Sequence, residues 1–115
     1  MKKENVILKK TLDFACDIQD IAELLNEKRK FIISNQLERS GSSIGANVRE
    51  AQRAVSKPDF INKLGIALKE ADETNYWFDI IERKIFKVDT KLRTDLEEII
   101  KLLVSIINSS KRNRA

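Results

Sequence analysis

The fold is decided by residues 56–85, which read SKPDFINKLGIALKEADETNYWFDIIERKI. Ser56 suits a helix N-cap, Pro58 falls in the first turn, and Asp59 takes the capping-box position, though as Asp rather than Glu or Gln. Mostly apolar residues then return every three or four positions, which is the period of an amphipathic helix. These residues are Ile61, Leu64, Leu68, Ala71, Asn75, Phe78 and Ile81. The segment predicts a long helix over residues 58–85.

Three further segments, at about 4–28, 32–55 and 90–110, show the same period. The connections, at roughly residues 29–31, 55–57 and 86–90, are short, and short connections make sequential helices antiparallel. The sequence therefore predicts a single all-α domain over residues 1–115, an up-down-up-down antiparallel four-helix bundle. The three inward stripes are Ile7, Thr11, Phe14, Ile18, Ile21 and Leu25; Ile33, Leu37, Ser40, Ile44, Val48, Ala51 and Val55; and Leu92, Leu96, Ile99, Leu103 and Ile106.

The middle of the second segment, residues 40–45, reads SGSSIG and departs from ordinary helix composition. Two glycines inside a helix cost about 1 kcal/mol each relative to alanine. A loop at residues 40–43 is one alternative, but the apolar stripe keeps its phase across the glycines, which favours a continuous helix. Gly41 and Gly45 place small residues on one face. That face fits tight packing within the protomer, and it also fits a subunit contact or an extended ligand.

The residue types needed for most catalytic sites are absent. The 115 residues include no histidine and one cysteine, which nearly excludes zinc sites and nucleophile–base pairs and leaves a Glu-x-x-His di-metal site without its histidine ligands. Glu38, Glu50, Glu70 and Asp72 could meet only by an accident of packing. Cys16 is interpreted as an inert small residue at the edge of the core. We expect a protein that is not an enzyme and that has no metal, no cofactor and no small-molecule substrate.

The sequence offers no targeting or membrane segment. The apolar run at residues 6–8 is cut off by Lys9 and Lys10, whereas a signal peptide needs 7–15 apolar residues. A single thiol without histidine fits a reducing compartment. We therefore expect a soluble cytoplasmic protein without a membrane partner.

Basic residues are concentrated in the second quarter of the chain. Between Lys28 and Lys57 there are seven basic residues and two acidic ones. Arg49, Arg53 and Lys57 are spaced by four, which aligns them if one helix carries them all. Such a concentration indicates an anionic partner, although a solvated helix face would look the same. The nucleic-acid-binding candidates are Lys28, Arg29, Lys30, Arg39, Arg49, Arg53 and Lys57.

Aromatic residues gather at residues 76–78 of the third segment. Phe78 is in phase with the predicted core, whereas Tyr76 and Trp77 are not. Exposed aromatic residues on a small bundle indicate an interface. We predict that Tyr76 and Trp77, with Gly41 and Gly45, contribute to contacts in a homo-oligomer.

Three runs together resemble a known family: RSGSSIGANVREA at residues 39–51, FINKLGIALKEA at 60–71 and NYW at 75–77. They look like the bacterial four-helix-bundle proteins encoded by intervening sequences within 23S ribosomal RNA genes, often labelled S23 ribosomal protein. The resemblance extends over nearly the whole chain. The label reflects gene location and does not make the protein part of a ribosome.

The resemblance implies an up-down four-helix bundle that forms a ring-shaped homopentamer. A related group serves as accessory proteins of diversity-generating retroelements, where a basic pentamer is thought to engage nucleic acid and a reverse transcriptase. Ala51 departs from the usual motif, since many members have Gly there, but alanine favours helix. The family's polar pattern is matched by Arg39, Ser43, Asn47, Glu50 and Arg53.

Two functions remain open at this point. One is a non-enzymatic oligomer that binds RNA or other nucleic acid through a basic face on the second helix. The alternative is a structural or adaptor bundle that binds a protein partner, with its basic face in solvent and no nucleic-acid binding. The clustered basic residues favour the first function only weakly.

Overall fold

The computed structural model describes residues 3–113, with side chains from residue 5; four residues of the predicted domain, 1, 2, 114 and 115, lie outside this range. The described residues form four α-helices and no strand. The prediction of an all-α fold is therefore confirmed. The helices are α1 (Lys3–Glu27), α2 (Phe31–Ala51), α3 (Lys57–Lys84) and α4 (Thr90–Arg112).

The four helices pack as an up-down-up-down bundle. Each helix contacts its sequence neighbours, and α1 also contacts α4, so the packing closes into a square. The bundle measures 52 × 23 × 21 Å, which is the shape expected for long helices lying side by side. The connections α1–α2 and α3–α4 therefore lie at one end, which we call the upper end. The α2–α3 connection and the end of α4 form the lower end.

The core lies on the predicted stripes of α1 and α4. Phe14 of α1 and Phe78 of α3 meet edge to face, with ring centroids 6.3 Å apart. In α3 the buried position is Thr74 rather than the predicted Asn75, which is only partly buried. The buried residues of the two confirmed stripes are Ile7, Thr11, Phe14, Ile18, Ile21 and Leu25 in α1, and Leu92, Leu96, Ile99, Leu103 and Ile106 in α4.

Local capping fixes where α3 and α4 begin. The Ser56 hydroxyl accepts a hydrogen bond from the Asp59 amide at 3.2 Å, and the Asp59 carboxylate accepts one from the Val55 amide at 3.2 Å. Asp89 caps α4 by accepting a bond from the Lys91 amide at 2.9 Å. Each bond satisfies an amide that a helix start would otherwise leave unpaired.

The connection from α1 to α2 contains an unusual backbone conformation. Arg29 has a φ of 63°, in the left-handed region that glycine normally occupies. The Lys30 amide donates to the Leu25 carbonyl at 2.8 Å, which is the long bond of a Schellman-type helix end. This turn reverses the chain within a few residues, and α2 then begins without a side-chain cap.

The glycines of α2 lie inside a continuous helix, as predicted. A Cβ at Gly41 would lie 2.9 Å from Cγ1 of Ile18. A Cβ at Gly45 would lie 3.3 Å from the carbonyl oxygen of Thr11. The glycines thus allow α1 and α2 to approach closely, which is the intramolecular packing that the small-residue face fitted.

Three predicted details are wrong. The second helix ends at Ala51 rather than Val55, because the capping of α3 requires extended backbone at Ser56. Val55, predicted to face the core, is 92% exposed as a result. Cys16, predicted at the core edge, lies on the exposed side of α1.

Within the described residues, no helix combines the length and the apolar composition needed to cross a membrane.

Candidate nucleic-acid interface

Arg49 and Arg53 lie at the lower end of the bundle. Arg49 is in the last turn of α2, and Arg53 follows Ala51 in a tighter turn, where the Arg53 amide donates to the Glu50 carbonyl at 3.0 Å. Both side chains are exposed, and neither makes an ion pair within the described part of the chain. Because this turn has three residues rather than 3.6, Arg53 leaves the helical phase of Arg49. Arg49 and Arg53 therefore lie close in the chain at the lower end but do not belong to one continuous helical stripe.

Lys57 does not extend this face along α2, because it is the first residue of α3. Its ammonium group donates to the Asn113 carbonyl at 2.5 Å, next to the end of α4. Lys57 also lines an opening of about 420 Å³ together with Lys111. The lower end thus collects cations from three elements: Arg49, Arg53, Lys57, Lys111 and Arg112.

Arg39 is occupied by two carboxylates of α3. Its guanidinium lies 3.2 Å from Glu70 and also bonds to Glu73. The hydrogen bond with Glu73 raises the pKa of Arg39 and lowers the pKa of Glu73. Trp77 donates its indole N–H to the same Glu73 at 3.1 Å. The prediction of Arg39 as a phosphate contact is thus not supported by its geometry, since its charge is already neutralised by α3.

Lys28, Arg29 and Lys30 lie at the upper end, in the α1–α2 connection. Arg49 lies at the other end of α2, a helix of 21 residues that spans about 30 Å. The structure does not bring these three cations together with Arg49 and Arg53. The predicted basic face is therefore divided between the two ends of the bundle.

The family-motif polar residues of α2 are engaged in local bonds. The Ser43 hydroxyl donates to the Arg39 carbonyl at 2.6 Å, and the Asn47 amide group donates to the Ser43 carbonyl at 2.9 Å. Glu50 accepts a bond from Lys63 of α3 at 3.0 Å. Of the five motif residues, Arg53 is the one whose charged group has no protein partner among the described residues.

A shallow apolar groove runs between α1 and α2 and ends at Arg49. Its volume is about 280 Å³. Leu8, Leu12 and Ala15 line it from α1, and Gly45 lines it from α2. Gly41, which we predicted as an interface residue, is buried beneath α1 and offers no surface to another chain. Gly45 is partly exposed in the groove.

Tyr76 and Trp77 differ in exposure. Tyr76 is 59% exposed, whereas Trp77 is partly buried and packs against the core. Their ring centroids lie 5.4 Å apart at an interplanar angle of 62°. The exposed aromatic surface on α3 is therefore centred on Tyr76.

The described residues contain no group of three or more acidic or cysteine side chains close enough to hold a metal ion. Glu38, Glu50, Glu70 and Asp72, which could have met only by an accident of packing, do not form such a cluster. Glu50 pairs with Lys63, and Glu70 pairs with Arg39.

Sequence reasoning missed several residues near the candidate sites. The nucleic-acid-binding candidates did not include Lys111, although the antiparallel topology places it beside the start of α3. The sequence does not show that Glu70 and Glu73 meet Arg39, although their spacing of three on α3 allows both to reach one guanidinium. Phe31 and Ile32 precede Ile33, which belongs to the predicted stripe of the second helix. Apolar residues that lie next to a stripe but outside it are the sequence sign of exposed apolar side chains.

A solved structure and a family model each match almost the entire chain. A solved structure of a protein of unknown function from the S23 ribosomal protein family, from Bacteroides thetaiotaomicron VPI-5482, superposes with a TM-score of 0.86. It is 48% identical in sequence, and the match covers 93% of this chain and 99% of that chain. No curated protein sequence matches the chain. The family model for the 23S rRNA-intervening sequence protein matches residues 3–107. The chain therefore belongs to the 23S rRNA-intervening sequence protein family.

Proposed function

We propose that this protein is a non-enzymatic, self-associating bundle that binds RNA or other nucleic acid through the lower end. The observation that carries the proposal is the contrast between Arg39 and the pair Arg49 and Arg53. Arg39 is neutralised by α3, whereas Arg49 and Arg53 are exposed with no ion pair in the described chain. Arginines without protein partners are available to phosphate oxygens, for which their planar donors are well suited.

The binding is expected to be independent of sequence. Phosphate contacts position a nucleic acid without reading its bases. The lower end has cations from α2, α3 and α4 but no exposed aromatic ring on which a base could stack. Affinity should fall with salt, with a log–log slope of about −0.7 per phosphate neutralised on single strands.

Self-association would multiply a weak site. One nucleic acid that spans several subunits gains avidity without any new contact. The exposed Tyr76 and the α1–α2 groove are the surfaces that support a subunit contact. A stable interface buries about 1,600 Å² in total, and head-to-tail contacts that close form a ring. We propose a pentamer, whose mass would be five times the 13.3 kDa of one chain.

The experiment is filter binding to single-stranded RNA and DNA at 50 mM and 200 mM salt. The test variant is Arg49→Glu with Arg53→Glu. The control is Lys9→Glu with Lys101→Glu, which changes the net charge equally but alters cations already paired with Asp13 and Glu97. We expect at least a tenfold loss of affinity in the test variant at 50 mM salt, because it loses phosphate contacts. The effect in the control should be smaller, because its cations are already paired with carboxylates.

Light scattering must show the same oligomer mass for parent and variants, so that a loss of binding is not a loss of assembly. If the test variant binds like the parent, the lower end is not the binding site. If the parent binds neither nucleic acid at 50 mM salt, the nucleic-acid function is wrong. The adaptor function, in which a protein partner is bound instead, would then take its place. A parent that stays monomeric at tens of micromolar would contradict self-association.

A further inference from the structure

The upper end of the bundle collects a second set of cations, independent of the proposed nucleic-acid site. The α1–α2 connection is basic, and the last turn of α3 with Lys87 adds three more cations. None of these cations forms an ion pair with any described residue, unlike Arg39, Lys63 and Arg93 in the body of the bundle. The set, which we call the upper basic cluster, comprises Lys28, Arg29, Lys30, Arg83, Lys84 and Lys87.

The register between α2 and α3 brings the two halves of this cluster to one level. Ser40 and Thr74 face each other with their hydroxyl oxygens 2.9 Å apart. Phe31 precedes Ser40 by nine residues, and Arg83 follows Thr74 by nine. In antiparallel helices that rise 1.5 Å per residue, both lie about 13 Å above the hydroxyl pair. The start of α2 and the end of α3 therefore present their side chains at the same height.

Two large apolar side chains protrude within the cluster. Ile32 is 82% exposed and Phe31 is 52% exposed, and both belong to the first turn of α2. Leu24, in the last turns of α1, is also exposed. An opening of about 410 Å³ lies beside residues 29–33, and Leu24 lines a second opening of about 480 Å³ with Lys87. An isolated exposed apolar residue needs no explanation, but adjacent ones ringed by unpaired cations indicate a binding surface.

No described carboxylate forms an ion pair with a cluster cation, although Asp17, Asp20 and Asp89 line one opening with Lys87. Glu82 lies 3.4 Å from Arg93 and is directed to that guanidinium. Asp89 caps α4 through the Lys91 amide. Glu27, at the end of α1, is exposed and bonds to none of the cluster side chains.

We propose that the upper end binds the surface of an anionic lipid bilayer, which departs from the expectation, drawn from the sequence, of no membrane partner. Phe31 and Ile32 enter the boundary between headgroups and acyl chains, and the upper basic cluster contacts the headgroup phosphates. Charge complementarity selects this occupant: a flat anionic surface can engage both connections at once, and each Lys or Arg near it strengthens binding roughly fivefold. This contact needs no spanning helix, because apolar side chains at an interface bury only the outer part of the bilayer.

A lipid surface fits these residues better than a protein or a nucleic acid does. A partner helix needs a concave groove for its apolar side chains, whereas Phe31 and Ile32 project outward. Ile32, the most exposed of them, has no ring on which a base could stack. Among the residues whose side chains are described, the lower end shows no comparable adjacent pair, and Val55 is its exposed large apolar residue.

The experiment is co-sedimentation of the full chain with vesicles at 50 mM salt. One set of vesicles contains phosphatidylcholine with phosphatidylglycerol, and the other contains phosphatidylcholine alone. The test variant is Phe31→Ser with Ile32→Ser. The matched control is Val55→Ser, which removes an equally exposed apolar side chain at the opposite end. A third variant, Lys28→Glu with Lys30→Glu, tests the charges.

We expect the parent and Val55→Ser to partition at least about tenfold more strongly onto anionic vesicles than onto neutral ones. The apolar double variant and the charge double variant should each lose most of that binding, roughly tenfold or more, because each removes one of the two contributions. Filter binding of the apolar variant to single-stranded RNA should be unchanged, because the nucleic-acid site lies at the other end. Circular dichroism must show each variant still helical.

The proposal is overturned if the parent ignores anionic vesicles at 50 mM salt, or if the apolar variant binds them like the parent. It is also overturned if Arg49→Glu with Arg53→Glu removes vesicle binding while the upper-end variants keep it, since the vesicle contact would then belong to the lower end. Loss of RNA binding in the upper-end variants without any vesicle binding would make the upper end part of the nucleic-acid site. Each of these outcomes is distinguishable from failure of the nucleic-acid proposal itself.

Discussion

The hydroxyl oxygens of Ser40 and Thr74 lie 2.9 Å apart between α2 and α3, and both residues are fully buried. Each hydroxyl also has a carbonyl acceptor within its own helix. Ser40 lies 3.3 Å from the Leu37 carbonyl, and Thr74 lies 2.9 Å from the Glu70 carbonyl. Two protons are shared among these three contacts, so one hydroxyl donates across the helices while the other donates to its local carbonyl. The contact marks the register on which the positions at both bundle ends depend.

Removing one member of this pair should cost stability without unfolding the protein. We expect Thr74→Val to lower the free energy of unfolding by about 1 kcal/mol, because the cross-helix bond is lost and Ser40 keeps only its local partner. Ser40→Ala should cost a similar amount. The double variant should cost less than the two single costs together, since residues in contact are not additive. Urea denaturation measures all three, and strict additivity would contradict the coupling.

Gly41 and Gly65 should respond oppositely to alanine. A Cβ at Gly41 meets Ile18, a branched and fully buried side chain, at 2.9 Å, whereas a Cβ at Gly65 meets nothing within 4 Å. Gly65→Ala should stabilise the protein by about 0.5–1 kcal/mol through helix propensity. Gly41→Ala gains the same propensity but adds an overpacking cost of about 1–3 kcal/mol. Urea denaturation should therefore rank Gly65→Ala above the parent and Gly41→Ala below Gly65→Ala by that cost.

The Arg29 turn offers a stabilising substitution. Its φ of 63° disfavours any side chain with a Cβ, so Arg29→Gly should raise the free energy of unfolding by about 1 kcal/mol. Arg29→Ala is the control, because it removes the same charge and keeps the Cβ. We expect the alanine variant to stay within about 0.5 kcal/mol of the parent. Thermal unfolding that fails to separate the two variants would contradict the backbone explanation.

The sequence predicted the fold well where hydrophobic period and topology agree. The predicted stripes of α1 and α4 are buried, because their residues keep the helical period. The apolar residues outside these stripes include Leu12, Leu24 and Val104, which are exposed. Ser56 and Asp59 predicted the start of α3, since a capping box depends only on neighbouring residues. The end of α2 was predicted wrongly because Val55 continues the apolar period of the helix. The extended backbone that the start of α3 needs at Ser56 ends α2 earlier, at Ala51.

The candidate site was less predictable, because charge pairing is a property of three-dimensional neighbours. Arg39 and Arg49 look alike in the sequence, and only the packing of α3 against α2 shows that Glu70 and Glu73 neutralise one of them. Lys57 fits the spacing of Arg49 and Arg53, yet it lies on another helix. Spacing predicts a shared face only when one helix carries all the residues.

The Arg39–Glu73 ion pair should make stability depend on acid pH. The pKa of Glu73 is held below its ordinary value of 4.5 by the hydrogen bond with Arg39. A carboxyl group whose folded pKa is lowered stabilises the fold above its unfolded pKa and loses this contribution as pH falls through the folded pKa. Both side chains are partly exposed, so the contribution is at most about 1 kcal/mol.

We therefore expect Arg39→Gln to be less stable than the parent at pH 7 by up to about 1 kcal/mol. The difference should shrink as pH falls below 4.5, the ordinary pKa of the group, because protonation of Glu73 removes the pair in the parent too. Urea denaturation at several pH values, monitored by the fluorescence of Trp77, measures the difference in the free energy of unfolding between the two proteins. Lys101→Gln, whose partner Glu97 is one helical turn away on the surface, is the control and should show little pH dependence.

Replacing Arg39 or Arg49 by glutamine should have opposite effects on nucleic-acid affinity and on stability. Arg49→Gln removes an unpaired cation, so nucleic-acid affinity at 50 mM salt should fall several-fold and the salt slope should decrease by about 0.7 if one phosphate contact is lost. Its stability should stay within about 0.5 kcal/mol of the parent, because no described residue pairs with its charge. Arg39→Gln removes a neutralised cation and should lower stability while leaving the salt slope unchanged. Filter binding over a salt series and urea denaturation on the same preparations test both halves. Equal loss of affinity in the two variants would show that binding depends on overall charge rather than on the free guanidinium groups of the lower end.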